Sequence, residues 1–113
     1  MAERPDDLTL VITTVPDAAA GERLARQLVE ERLIACANLI PGLTSVYRWE
    51  GAVQTEAELL MLMKTPAAGV ERLFARAAEL HPYEVPELLA LPVATGLEAY
   101  CRWVAAEVGE REE

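Results

Sequence analysis

The stretch "LTSVYRWEGAVQTEAELLMLMK", residues 43–64, decides the fold. Its first arm carries the β-branched and aromatic residues Thr44, Val46, Tyr47 and Trp49, and its second ends in the apolar run Leu59, Leu60, Met61, Leu62, Met63. Such residues fit a pleated surface, and "WEGAVQ" between them reads as a hairpin bend with Gly51 at the reversal. Each arm is expected to reach about nine to twelve residues, against a usual strand length of about 5–6. A chain of 113 residues cannot easily cover so long a ribbon by itself. Part of it is therefore expected to pair with another chain.

Outward from the hairpin the pattern alternates between strands and helices. On the N-terminal side, "LTLVITTV" (8–15) reads as a largely buried central strand that Pro16 ends. Asp17 is an N-cap for a helix whose stripe is Leu24, Ala25, Leu28 and Val29. Residues 36–40, "CANLI", form a short strand, and Pro41 with Gly42 makes a turn or bulge before the first long arm. On the C-terminal side, Thr65 followed by Pro66 reads as a helix opening, with Val70, Leu73, Phe74, Ala77 and Leu80 as its apolar face. Pro82 stops that helix near His81. "LLALPV" (88–93) is a last short strand and 96–108 a third helix. The order strand, helix, strand, strand, helix, strand, helix predicts an α+β fold. It is a ferredoxin-like βαββαβ sandwich with a long central hairpin and an additional C-terminal helix. A single domain spanning 1–113 is expected, with 1–7 and 109–113 as polar termini. Both main helices cover one face of the sheet, so the third helix and a partner subunit are left to cover the other.

Charge and composition remove several function classes. With 19 acidic and 10 basic residues the formal charge is -9, which opposes non-specific binding to nucleic acid or anionic lipid. No apolar run approaches the roughly 20 residues of a membrane span, and no signal peptide is read at the start. Cys36 and Cys101 lack the density and spacing of a disulfide framework. A reducing, cytoplasmic compartment is the simpler expectation. No phosphate-binding loop, dinucleotide glycine pattern, zinc-protease helix or serine-nucleophile elbow is present.

What chemistry remains gathers around the only histidine. His81, Tyr83, Glu84 and Glu87 fall within seven residues, and Cys36 comes from another element. Thiolate and imidazole suit copper or zinc, and a carboxylate can complete the set. Alternatively His81 caps the preceding helix, Cys36 is a small buried hydrophobe, and both glutamates are solvated. Glu84 and Glu87 with His81 would also serve acid/base catalysis if the fold joined them. Trp49, beside Glu50, reads as an interface anchor or a ligand-stacking ring. Lys64, the sole lysine, stands at a strand end where it either gathers an anion or pairs with an acid.

Three ordered segments, "ERLIACANLIPGLTSVYRWEG" (31–51), "LLMLMKT" (59–65) and "LHPYEVPELLALPV" (80–93), resemble the CutA divalent-cation tolerance family. The resemblance runs from about Leu8 to Ala106. It implies a ferredoxin-like subunit in a tight homotrimer, similar in architecture to the PII signalling proteins, with sheets extended across subunits by long hairpins. It also implies a cytoplasmic, non-enzymatic protein that binds divalent cations, Cu(II) or Zn(II), with no obligatory cofactor. Carried over by motif, the metal set is His81, Cys36, Glu84 and Glu87, and the intersubunit cleft holds Lys64, Tyr83, Trp49 and Glu50. Some relatives have further cysteines where this chain has Thr13 and Thr14, which argues against a strong copper(I) site. The PII likeness suggests a second reading, a sensor of a small anionic metabolite held near Lys64.

Overall fold

The computed structural model describes residues 4–109, so residues 1–3 and 110–113 of the expected polar termini lie outside it. The elements run β1 (Leu8–Val15), α1 (Ala18–Glu30), β2 (Cys36–Trp49), β3 (Ala52–Pro66), a 3-10 turn (Ala67–Gly69), α2 (Val70–Leu80), β4 (Leu89–Pro92) and α3 (Glu98–Glu107). The four strands form one antiparallel sheet in the order β2-β3-β1-β4. This is the expected ferredoxin-like arrangement with its additional C-terminal helix.

Alternation along β1 divides the sheet into two faces. Thr9, Val11, Thr13 and Val15 are buried on one face, whereas Leu8, Leu10, Ile12 and Thr14 are half-buried on the other. The first face carries the core, in which Val11, Val15, Met61 and Met63 meet Leu24 and Leu28 of α1 and Leu73 and Ala77 of α2. Asp17 starts α1 as expected, its carboxylate accepting from the Ala20 N–H at 2.8 Å. On the second face α3 buries Val104 and brings Tyr100 to Cys36. Ile40, Leu89 and Leu91 stay 44%, 51% and 43% exposed on that side.

The hairpin is longer than the sequence pattern indicates, with arms of 14 and 15 residues. Its turn, Glu50–Gly51, has positive φ at both residues (50° and 82°), and Trp49 pairs with Ala52. That is the two-residue turn whose twist matches a right-handed ribbon. Pro41 and Gly42 do not separate two strands. They form a bulge within β2, where the register shifts between Ile40 and Leu43 and Gly42 takes φ 88°. One extra residue inverts the side-chain alternation beyond it. Leu43, Ser45 and Tyr47 consequently stand opposite Glu58, Glu56 and Gln54, on the same face as those residues.

Thr65 and Pro66 differ from the helix opening that their sequence suggests. Both remain in β3, paired with Thr9 and Leu8, and the helix begins only after the 3-10 turn. The Thr65 hydroxyl is drawn away from capping because it donates to the Leu33 carbonyl at 3.0 Å. Strand pairing and burial override the local capping preference.

Candidate functional site

β1 ends at Val15, opposite Leu59 of β3, and the hairpin continues beyond that point. Residues 82–87, leaving α2, lie against this extension. Between them is a cleft of about 810 Å³, lined by Ser45, Tyr47, Trp49, Gln54, Glu56 and Glu58 of the hairpin and by Tyr83, Glu84 and Glu87 of the loop, among others. Among the described residues four carboxylates line it and no Lys, Arg or His does.

His81 fixes the loop. The ring is buried, 7% exposed, at the point where Pro82 prevents α2 from continuing. Its Nδ1 accepts from the Tyr83 N–H at 3.1 Å. The ring proton must then sit on Nε2, which donates to the Thr14 carbonyl at 2.9 Å and lies 3.0 Å from the Thr13 hydroxyl. Burial holds the imidazole below its ordinary 6.5, against the opposing pull of the Thr14 carbonyl and the Glu58 charge. The neutral ring therefore has both nitrogens in use. His81 does cap α2, but through its backbone N–H, which donates to the Ala77 carbonyl at 2.8 Å; the ring caps no helix carbonyl, and in this state it has no lone pair free for a metal.

Tyr83, placed by that ring, reaches across the cleft and donates to Glu58 at 2.5 Å. On the hairpin itself the Tyr47 hydroxyl donates to Glu56. Both phenols are held above their usual range. For Tyr83 burial is the larger cause and the Glu58 bond the second, whereas for Tyr47 the bond to Glu56 leads. The two tyrosines thus stay protonated and leave each carboxylate with acceptor capacity facing the cleft.

Cys36 and Lys64, also expected in the site, lie elsewhere. Cys36, Lys64, Leu10 and Leu91 stand side by side across the sheet, four residues along β1 from Thr14. That is about 13 Å along the strand. The Cys36 thiol sits 3.4 Å from the Tyr100 hydroxyl, and the Lys64 amine donates to the Asn38 side-chain oxygen. Within one chain the expected thiolate–imidazole site of Cys36 and His81 does not form. Among the described residues no three His, Cys, Asp or Glu side chains converge on a metal-sized position. Of the expected cleft set, Trp49 and Tyr83 share the cleft, Glu50 forms the hairpin turn, and Lys64 lies apart. Glu84 and Glu87 are exposed at an open cleft, not in the dry pocket that acid/base catalysis by carboxylates requires.

Sequence reading passed over Tyr47, Glu56 and Glu58 as site residues. Gln54, Glu56 and Glu58 recur at every second position of a strand whose continuation is apolar, which marks a polar face over that half of β3. The partner tyrosines come from the other arm and from a loop 25 residues away, and no local spacing announces them.

A family model described as CutA1 divalent ion tolerance protein matches residues 9–107. The chain is 47% identical over 100 residues to the divalent-cation tolerance protein CutA of Thermus thermophilus, covering 88% of this chain and 97% of that one. It is 43% identical over 95 residues, 84% of this chain, to a chloroplastic CutA of Arabidopsis thaliana, of whose length it spans about half (52%). The crystal structure of CutA from Xylella fastidiosa superposes with a TM-score of 0.88 at 41% identity, covering 91% of this chain and 99% of that one.

Proposed function

The chain belongs to the CutA1 divalent ion tolerance protein family, and from that premise we propose that it is a non-enzymatic, homotrimeric protein that binds divalent cations such as Cu(II) or Zn(II). The observation that carries this reading is the cleft at the root of the hairpin, with four carboxylates and no basic side chain on its walls among the described residues. Carboxylate oxygens are hard donors that take divalent cations without a thiolate. Glu84 and Glu87 are the ligands on the loop side, with Glu56 and Glu58 facing them. His81 positions the loop.

One chain brings too few of these donors together to close a coordination sphere. The assembly is expected to complete it with donors from a neighbouring copy. Support for assembly comes from the long arms, from β2 and β4 as open sheet edges, and from the apolar residues left exposed beside α3. The same charge disfavours the alternative of an anionic metabolite in this cleft, because Lys64, its expected counter-charge, is held by Asn38 at another place. Both cysteines are free thiols, in keeping with a reducing, cytoplasmic setting.

Calorimetric titration with Cu(II) and Zn(II) tests the ligand assignment. The doubly substituted Glu84→Gln, Glu87→Gln chain is expected to bind at least about tenfold more weakly, since each lost anionic donor removes charge-assisted coordination. Unchanged affinity would place the metal elsewhere.

A further inference from the structure

The contact between His81 and Tyr83 lies inside one chain, where the ring is already 7% exposed, and assembly can only bury it further. The two ring nitrogens differ in what protonation does to them. Nε2 carries the proton that the Thr14 carbonyl accepts at 2.9 Å, with the Thr13 hydroxyl at 3.0 Å, and an imidazolium keeps that N–H. Nδ1 holds the lone pair that accepts from the Tyr83 N–H at 3.1 Å. A second proton can bind only there, and it replaces the acceptor with an N–H that points at another N–H. One side of the ring is therefore anchored in both charge states and the other is not.

We propose that His81 is a proton-operated latch on residues 82–87: the neutral ring ties this loop to β1 through Tyr83, and the imidazolium stays on β1 and lets the loop go. The groups around the ring set where it opens. β1 offers the neutral Thr13 and Thr14. On β3 Glu58 is the charge that acts on the ring, and on the loop Tyr83 is the titratable neighbour, its phenol kept protonated by burial and by its bond to Glu58. In the last turns of α2, Arg76 pairs with Glu79 and with Glu31. Burial opposes the ring's charge more than the Thr14 carbonyl and Glu58 favour it, so the latch is closed above 6.5 and opens below it. An imidazolium also attracts Glu58, the acceptor of the loop's other tie, and competes with the Tyr83 hydroxyl for it. Opening thus separates the wall that bears Glu84 and Glu87 from the hairpin, whatever the cleft holds.

Nitrogen NMR of the full chain in its native assembly, with a chelator present and pH taken from about 7.5 to about 5, reads ring and loop together. His81 is expected as the Nε2–H tautomer at the upper end and gains its second proton below 6.5. Over the same interval hydrogen exchange of the Tyr83 amide, corrected for its intrinsic pH dependence, is expected to lose protection at least about tenfold. The Met61 amide, in the middle of the sheet, is expected to stay protected. In His81→Asn an amide oxygen takes the place of Nδ1 toward the Tyr83 N–H and does not titrate, so protection of that amide becomes independent of pH. Tyr83→Phe removes only the tie to Glu58, and the amide at this position is expected to keep its pH step. A ring still neutral at the lowest pH, a charged ring with unchanged Tyr83 protection, or the same step in His81→Asn would each overturn the latch. Loss of the step in Tyr83→Phe, or an equal loss at Met61, would overturn it as well, the first by placing the device at the phenol and the second by showing that the whole chain opens.

Discussion

His81 illustrates how a side chain attractive as a ligand is committed to structure instead. Its two nitrogens join the end of β1 to the loop that forms one wall of the cleft. His81→Ala leaves the Tyr83 N–H and the Thr14 carbonyl without their partner, and a destabilisation of about 2–3 kcal/mol is expected in urea unfolding. Because the folded state keeps the ring neutral, the unfolded chain binds more protons once pH falls below the ordinary value of 6.5. Stability from this group is present above that pH and is lost as pH falls toward the lower folded value. The slope of stability against pH just below 6.5 should therefore flatten in His81→Ala. A second titration lies lower. Glu31 joins Arg76 through two hydrogen bonds of 2.8 Å, and chiefly by that contact its pKa falls from 4.5 to about 2. Its contribution is present above pH 4.5 and is lost as pH falls toward 2. Arg76→Ala is expected to be less stable than the parent at pH 6 and to approach it at pH 2, as read from thermal unfolding.

At the level of elements, most of the fold is legible in residue patterns. β1, the Asp17 cap, the stripe of α2 and the Gly51 reversal all follow from local chemistry that the tertiary structure endorses. Legibility fails where a distant partner competes with a local signal. Thr65 has the sequence context of a helix cap, but its hydroxyl finds Leu33 and its backbone finds Thr9. The cleft fails for the same reason, since Glu58 meets Tyr83 only after β1 stops short of the hairpin. The β2 bulge shows how much one residue decides. Without it, Ser45 and Tyr47 would point to the opposite face and the Tyr47–Glu56 bond would not form. Gly42 holds it at φ 88° with open space around the position of a Cβ. Gly42→Ala should therefore act through backbone strain alone, at about 1–2 kcal/mol in urea unfolding.

For the whole molecule the dominant fact is how much apolar surface a small, acidic chain leaves open. Ile40, Leu89 and Leu91 on the sheet, and Tyr100 and Trp103 on α3, are each more than a third exposed on or beside the face that α1 and α2 do not cover. The distal parts of the two hairpin arms, residues 43–49 and 52–58, project past the last residue of β1. A net charge of -9 keeps such a surface in solution without covering it. Association of identical chains would cover it, supply partners for the open edges and bring cation ligands from two chains together. Sedimentation equilibrium at micromolar concentration decides whether this happens. The mass expected is three times the 12.4 kDa of one chain, and a species of 12.4 kDa would contradict the trimer and the shared cation site with it.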